Sequence, residues 1–125
     1  MAECIVSLDI SASLSITHPE LSKRFGLTPS ALTGRKSNTG KYYRYEPTAS
    51  EGMALEDRIA FVASGIRPEH PPVLLDESII DVTLVIGVFQ RGLACTTHFP
   101  VSCLDSLTRS IPELAVDVTF YMVSG

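Results

Sequence analysis

An α+β architecture is the fold class this chain predicts, and the strongest grounds lie in its last third. Ile80, Val82, Leu84, Ile86 and Val88 recur at every second residue; after a Gln90-Arg91-Gly92 turn, Leu93, Cys95, Thr97 and Phe99 keep the same period. Leu114, Val116, Val118, Phe120 and Met122 repeat it once more. A period of two sends alternate side chains to one face of a sheet, so each segment is a strand with one face against a core. Between the last two segments, Leu104, Leu107 and Ile111 change to the spacing of one helix face.

The earlier elements follow in order. Glu3 to Ser11 is a strand, with Cys4, Val6, Leu8 and Ile10 on one face and Ser7, Asp9 and Ser11 on the other. A helix starts at Thr17, where Glu20 completes a capping box and Pro19 is tolerated in the first turn. Leu21 and Phe25 share its apolar face, and Gly26 is the left-handed stop. Thr33 to Lys41 is a polar, basic loop, and Tyr42 to Glu46 a short edge strand. Met53 to Ser64 is a second helix: Leu55, Ile59, Val62 and Ile66 keep the helical period, while Glu56 and Asp57 suit its positive N-terminal end. The proline-rich run 67–72 is an extended connector.

With 125 residues, the chain makes a single domain, residues 1–125, with enough length to bury a core. Its formal charge of −4 disfavours general nucleic-acid binding, which needs a basic footprint. Cys4, Cys95 and Cys103 are odd in number and lack C-x-x-C spacing, so neither a disulfide framework nor a zinc ribbon is expected. No basic n-region precedes an apolar run at the start, and the stretch Ile79 to Phe89 is too short to span a bilayer. These features set the expectation of a cytoplasmic protein with no membrane association.

With the segment from Leu27 to Gly52 set aside as an insertion, the remaining elements spell βαββαβ. That is the ferredoxin-like arrangement, an antiparallel sheet with both helices on one side. The apolar strand faces then lie beneath the helices. The reverse face is left with Ile5, Ser7 and Asp9, with Asp81, Thr83, Val85 and Phe89, with Ala94, Thr96 and His98, and with Asp117, Thr119, Tyr121 and Val123. Half apolar and half polar, it suits a protein partner or a second copy of the chain, unless the Tyr42–Glu46 segment and the proline-rich connector cover it.

Chemical motifs are sparse. Residues Gly34 to Lys41 are similar to a phosphate-binding loop, but five residues separate the glycines and Tyr42 stands where a Ser or Thr would hold magnesium. Arg35, Lys36 and Lys41 remain candidates for holding an anion, or are simply a solvated loop. Cys103, behind a Ser102 cap, has the position in which helix N–H groups lower a thiol pKa, yet no nucleophile signature surrounds it. His18, His70 and His98 have no paired ligand spacing, so no metal is expected. In the ferredoxin-like order the first and last strands are antiparallel neighbours. Asp9 and Asp117 would then meet as a carboxylate pair, or be parted by a register shift.

One resemblance covers nearly the whole chain. A strand, a proline-bearing helix and then Phe25-Gly26-Leu27-Thr28-Pro29 resembles the signature of the domain-of-unknown-function 4279 family. The glycine-bearing loop, the Leu55-Glu56-Asp57 helix, the hairpin, the Leu104/Leu107 helix and the Leu114-Ala115-Val116-Asp117-Val118 strand agree in order. Members often carry a tryptophan after the glycine-bearing loop; this chain has none and offers Tyr42, Tyr43 and Tyr45. The resemblance implies a bacterial or phage origin and no established catalytic residues or cofactor.

Two functions follow as expectations. One is a non-enzymatic protein-interaction module, such as one of the immunity or inhibitor type, binding a basic partner. The other is a small protein or enzyme that takes an anionic ligand such as a nucleotide or phosphate metabolite on loop 34–41. Across both, the candidate contact residues are Arg35, Lys36, Lys41, Tyr43, Tyr45, Asp9, His98, Asp117 and Tyr121.

Overall fold

The computed structural model describes residues 3–27, 32–36, 40–47, 52–66, 71–90 and 99–123. In chain order these form β1 (Glu3–Ala12), α1 (His18–Phe25), β2 (Leu32–Lys36), β3 (Lys41–Tyr45), α2 (Leu55–Ala63), β4 (Ile79–Gln90), α3 (Asp105–Ser110, entered through a 3-10 turn at Val101–Leu104) and β5 (Ala115–Met122). The α+β class holds. The sheet has five strands in the order β2-β3-β1-β4-β5.

That order departs from the ferredoxin-like expectation. β1 has β3 on one side and β4 on the other, both antiparallel, so neither of its edges is left for β5. β5 instead lies against β4, and parallel to it. The connection between them passes through α3, and a crossover of that kind returns the chain to the end from which β4 began. The sheet is therefore mixed. Most of the strand expected at Leu93–Phe99 lies outside the described residues, as do His98 and the connector from 67 to 70.

The supposed insertion belongs to the sheet. Leu32–Lys36, expected to be largely loop, is an edge strand paired with β3 from Leu32 opposite Tyr45 to Lys36 opposite Lys41. The Tyr42–Glu46 segment is consequently an interior strand and not an edge. Leu32 is buried, as are Tyr43 and Tyr45, because odd positions of β3 face the helices.

One core occupies the helix side of the sheet. Val6, Leu8 and Ile10 of β1 and Val82, Leu84, Ile86 and Val88 of β4 meet Leu21 and Phe25 of α1, Ile59 and Val62 of α2, and Leu107 and Ile111 from the α3 region. Ile80, expected in that core, is 57% exposed, and Ile79 takes the inward position. The cause is a register shift at Ser11/Ala12, which sets Ala12 opposite Ile79. β5 departs further. All eight of its residues are exposed, including the Val116, Val118, Phe120 and Met122 stripe expected beneath the helices.

Local chemistry explains the helix ends. The Thr17 hydroxyl accepts the Glu20 backbone N–H at 3.3 Å, and Gly26 closes α1 with φ of 68°. Arg24, in the last turn of α1, bonds Asp76 ahead of β4 at 2.8 Å. Asp76 also accepts the backbone N–H groups of Ser78 and Ile79. The Arg24 hydrogen bond, with those two N–H groups, holds the Asp76 carboxyl at about 2 against an ordinary 3.8. A depressed folded-state pKa means that the stabilisation is whole above about pH 4 and is lost as pH falls through about 2. Asp76→Asn should remove that acid-side component from a series of urea unfolding curves at pH 2 to 5. An unchanged pH slope would show that Asp76 does not contribute to it.

Candidate interaction face

Even positions of β3 and odd positions of β1, β4 and β5 point away from the helices, and no described helix covers that side. Strand register arranges these residues in rows. Thr33, Arg44, Asp9, Thr83 and Ala115 form one row across all five strands. On one side of it run Arg35, Tyr42, Ser11 and Asp81; on the other, Ser7, Val85 and Asp117. Beyond these come Ile5, Gly87 and Thr119, then Glu3, Phe89 and Tyr121.

The rows sort by chemistry. Toward the Tyr121 end the face is aromatic and aliphatic: the Phe89 and Tyr121 rings stack at 4.9 Å with 18° between their planes, and Ile5 lies nearby, 41% exposed. Gly87 makes this cluster possible. A Cβ there would stand 2.9 Å from Ile5 Cγ1 and 3.3 Å from Tyr121 Cε2, so the missing side chain lets its neighbours from both flanking strands close over β4.

Toward the other end the face is polar. Arg44 Nε and one terminal nitrogen donate to the two Asp9 carboxylate oxygens at 3.0 and 3.2 Å, a bidentate pair between residues directly opposite in register. The Ser7 hydroxyl donates to the same carboxylate at 3.2 Å. Its hydrogen bond to Asp9, reinforced by the Asp9 charge, raises the Arg44 pKa above its ordinary value. Asp9, Ser11, Thr33, Tyr42 and Arg44 line an open groove of about 640 Å³. Among the described side chains here, Asp9, Asp81, Asp117 and the neighbouring Glu46 set four carboxylates against the single guanidinium of Arg44.

The residues singled out from sequence divide sharply. Asp9, Asp117 and Tyr121 are on this face. Asp9 and Asp117 are not neighbours, however: β4 lies between their strands and they occupy different rows, which puts them roughly 12 Å apart from ordinary strand spacings. That separation rules out a shared proton. Tyr43 and Tyr45 are core residues, 6% and 3% exposed, and burial raises both phenol pKa values. Tyr45 is therefore not a surface contact, and Tyr43 reaches the groove with only a small part of its surface. Lys41 is committed as well, its Nζ donating to the Ile16 carbonyl at 2.7 Å. Arg35 and Lys36 are strand residues of β2, while 37–39 and His98 lie outside the described residues.

Sequence reasoning passed over Arg44, Tyr42 and Gly87 as site residues. The signal for the first two was present. A strand that buries Tyr43 and Tyr45 must turn Tyr42 and Arg44 outward. Gly87 gave no such signal, since its role depends on side chains from two other strands.

Cys103 follows the 3-10 turn's actual cap, Pro100, whose carbonyl accepts the Cys103 N–H at 3.1 Å; Ser102 is not the cap. Burial, with the Glu56 and Asp105 charges, raises the thiol pKa, against the lowering expected at a helix start. Less thiolate forms near neutral pH, so alkylation of Cys103 should run several-fold slower than that of an unhindered thiol. Site-resolved alkylation mass spectrometry at pH 7 measures this; a rate above the free-thiol value would restore Cys103 as a candidate nucleophile.

Among the described residues no group of three or more His, Cys, Asp and Glu side chains is arranged to hold a metal ion. None of the described helices is long and apolar enough to cross a membrane. Comparison with family models, with curated proteins and with solved structures finds no match to this chain.

Proposed function

We propose that this protein is a non-enzymatic protein-interaction module whose partner presents a basic surface to the uncovered sheet face. The observation that carries this reading is the division of that face. Stacked Phe89 and Tyr121, the latter half-exposed, supply desolvatable area at one end, and at the other the described side chains carry more carboxylates than cations, a charge that fits Lys and Arg. The net charge of −4 steers in the same direction. An inhibitor or immunity-type protein acting on a basic enzyme is one form such a module takes, and the resemblance to the domain-of-unknown-function 4279 family is part of the proposal on the same footing.

A photo-crosslinking residue placed at Tyr121, and in a second variant at Tyr42, tests it in cells of the native host. Both positions are expected to trap the same basic protein, with yield falling as salt is added to a lysate. The same probe at Thr108, exposed on α3, is the control. Equal yield from Thr108, or a product indifferent to salt, would remove the reading.

The second function, an anionic-ligand binder, draws support from the groove of about 640 Å³, but of its expected cations Arg35, Lys36 and Lys41 the last is held by an internal partner, and so is Arg44 beside the groove. Lys41 bonds a carbonyl and Arg44 is held by Asp9. A nucleotide and metabolite panel addresses it directly, because a ligand at a hundred times its Kd stabilises by about 2.7 kcal/mol.

A further inference from the structure

We infer that β5 is a self-association edge, at which a second copy of this chain adds its own β5 antiparallel and continues the sheet across a two-fold axis. The inference rests on the backbone edge of β5, beside which Asp117 and Tyr121 of the face assigned to the basic partner also lie; its test reads the association state of the chain and not partner capture, so the two can fail separately. β5 has β4 on one side and no strand on the other among the described residues. Its eight residues are all exposed, with Val116, Val118, Phe120 and Met122 between 39% and 60%.

The two sheet edges differ in the way that matters. β2, at the far edge, has two basic residues in five, the composition that discourages edge pairing. β5 has one charged residue, Asp117, in eight. A mostly apolar edge with one charge in eight residues, unpaired among the described residues, is a template for another strand.

The sequence of β5 says which strand. Opposed residues in an antiparallel pair share a face, so a two-fold axis through Thr119 sets Val116 opposite the partner's Met122 and Val118 opposite the partner's Phe120. Apolar meets apolar throughout the helix side. On the other side Asp117 faces the partner's Tyr121, a carboxylate opposite a phenol hydroxyl that can donate to it. The two Asp117 carboxylates are then four residues apart along the strands, roughly 13 Å. β5 is its own complement in pattern and in charge. Pairing along eight residues exposed to this degree buries on the order of 1,000 Å² in total, the lower bound for a specific interface. The product is a concentration-dependent dimer with a ten-stranded sheet.

Sedimentation of the full chain over a wide concentration range, with Val118→Lys and Phe120→Glu prepared separately, provides the test. Wild type is expected to show a monomer–dimer equilibrium. Each single variant should raise the dimer Kd about a hundredfold or more, because the two-fold axis buries two unpaired charges, one from each copy, each against an apolar side chain. Mixing the two variants should restore a dimer, now a heterodimer, since the introduced opposite charges face each other across the axis. That rescue separates edge pairing from misfolding, which circular dichroism of each variant also checks. A wild-type monomer at all concentrations would overturn the inference, as would a dimer untouched by either variant. So would hydrogen exchange showing β5 amides equally protected in a monomer, which would mean that the chain's own residues 91–98 occupy the edge.

Discussion

Phe25→Ala is expected to cost about 3–5 kcal/mol, the range for deleting a fully buried aromatic ring. Phe25 ends α1 with no exposed surface and is the largest of the side chains sealed in the core. It is held where it is by two neighbours in sequence: Gly26 turns the backbone left-handed, and Leu27, 6% exposed, follows it into the same cluster. Removing the ring leaves a cavity that the helix cannot close without breaking its cap. Domains of this size are stable by about 5–15 kcal/mol in all, so the variant should unfold at a much lower urea concentration with an unchanged slope. Phe25→Leu keeps most of the apolar volume and should cost no more than about half as much. A loss below about 1 kcal/mol for Phe25→Ala would place α1 outside the core.

The second large effect is steric. Gly65, just beyond α2, lies against the phenol hydroxyl of Tyr45, and a Cβ at Gly65 would overlap that oxygen and the ring carbon bearing it. Tyr45 is 3% exposed on an interior strand, so its ring is packed on the helix side of the sheet and would have to shift within the core. Gly65→Ala should therefore destabilise by about 1–3 kcal/mol through overpacking. Tyr45→Phe deletes the obstructing oxygen. In that background Gly65→Ala should cost at least about 1 kcal/mol less, a coupling that a double-mutant cycle from urea unfolding measures. Strict additivity would show that the tyrosine is not what excludes a side chain at Gly65.

Much of the local structure was legible in the chain. The capping box at Thr17 and Glu20 and the left-handed Gly26 appear where composition placed them, because caps depend on residues within a few positions of each other. The inward faces of β1 and of β4 from Val82 to Val88 also match their period of two. β2 was illegible for a complementary reason. After Leu32 the strand reads Thr, Gly, Arg and Lys, a polar composition that resembles a loop, and only pairing with β3 makes it a strand. The candidate site was legible in part. Alternation correctly sent Asp9, Asp117 and Tyr121 to the uncovered face, but nothing local revealed that Lys41 would bond Ile16 or that Asp9 would be held by Arg44.

By itself, then, the amino-acid order determined the α+β class, the helix boundaries within a residue or two, and which side of β1 and β4 faces inward. Periodicity and capping are properties of neighbours along the chain, and the chain carries them. Tertiary structure alone decided that β5 runs parallel to β4 at the sheet's margin, with its apolar stripe in solvent, and that Asp9 and Asp117 stand apart. Strand order depends on which edges remain unpaired once the other strands have met, and a period of two records the face a residue takes without recording its neighbour.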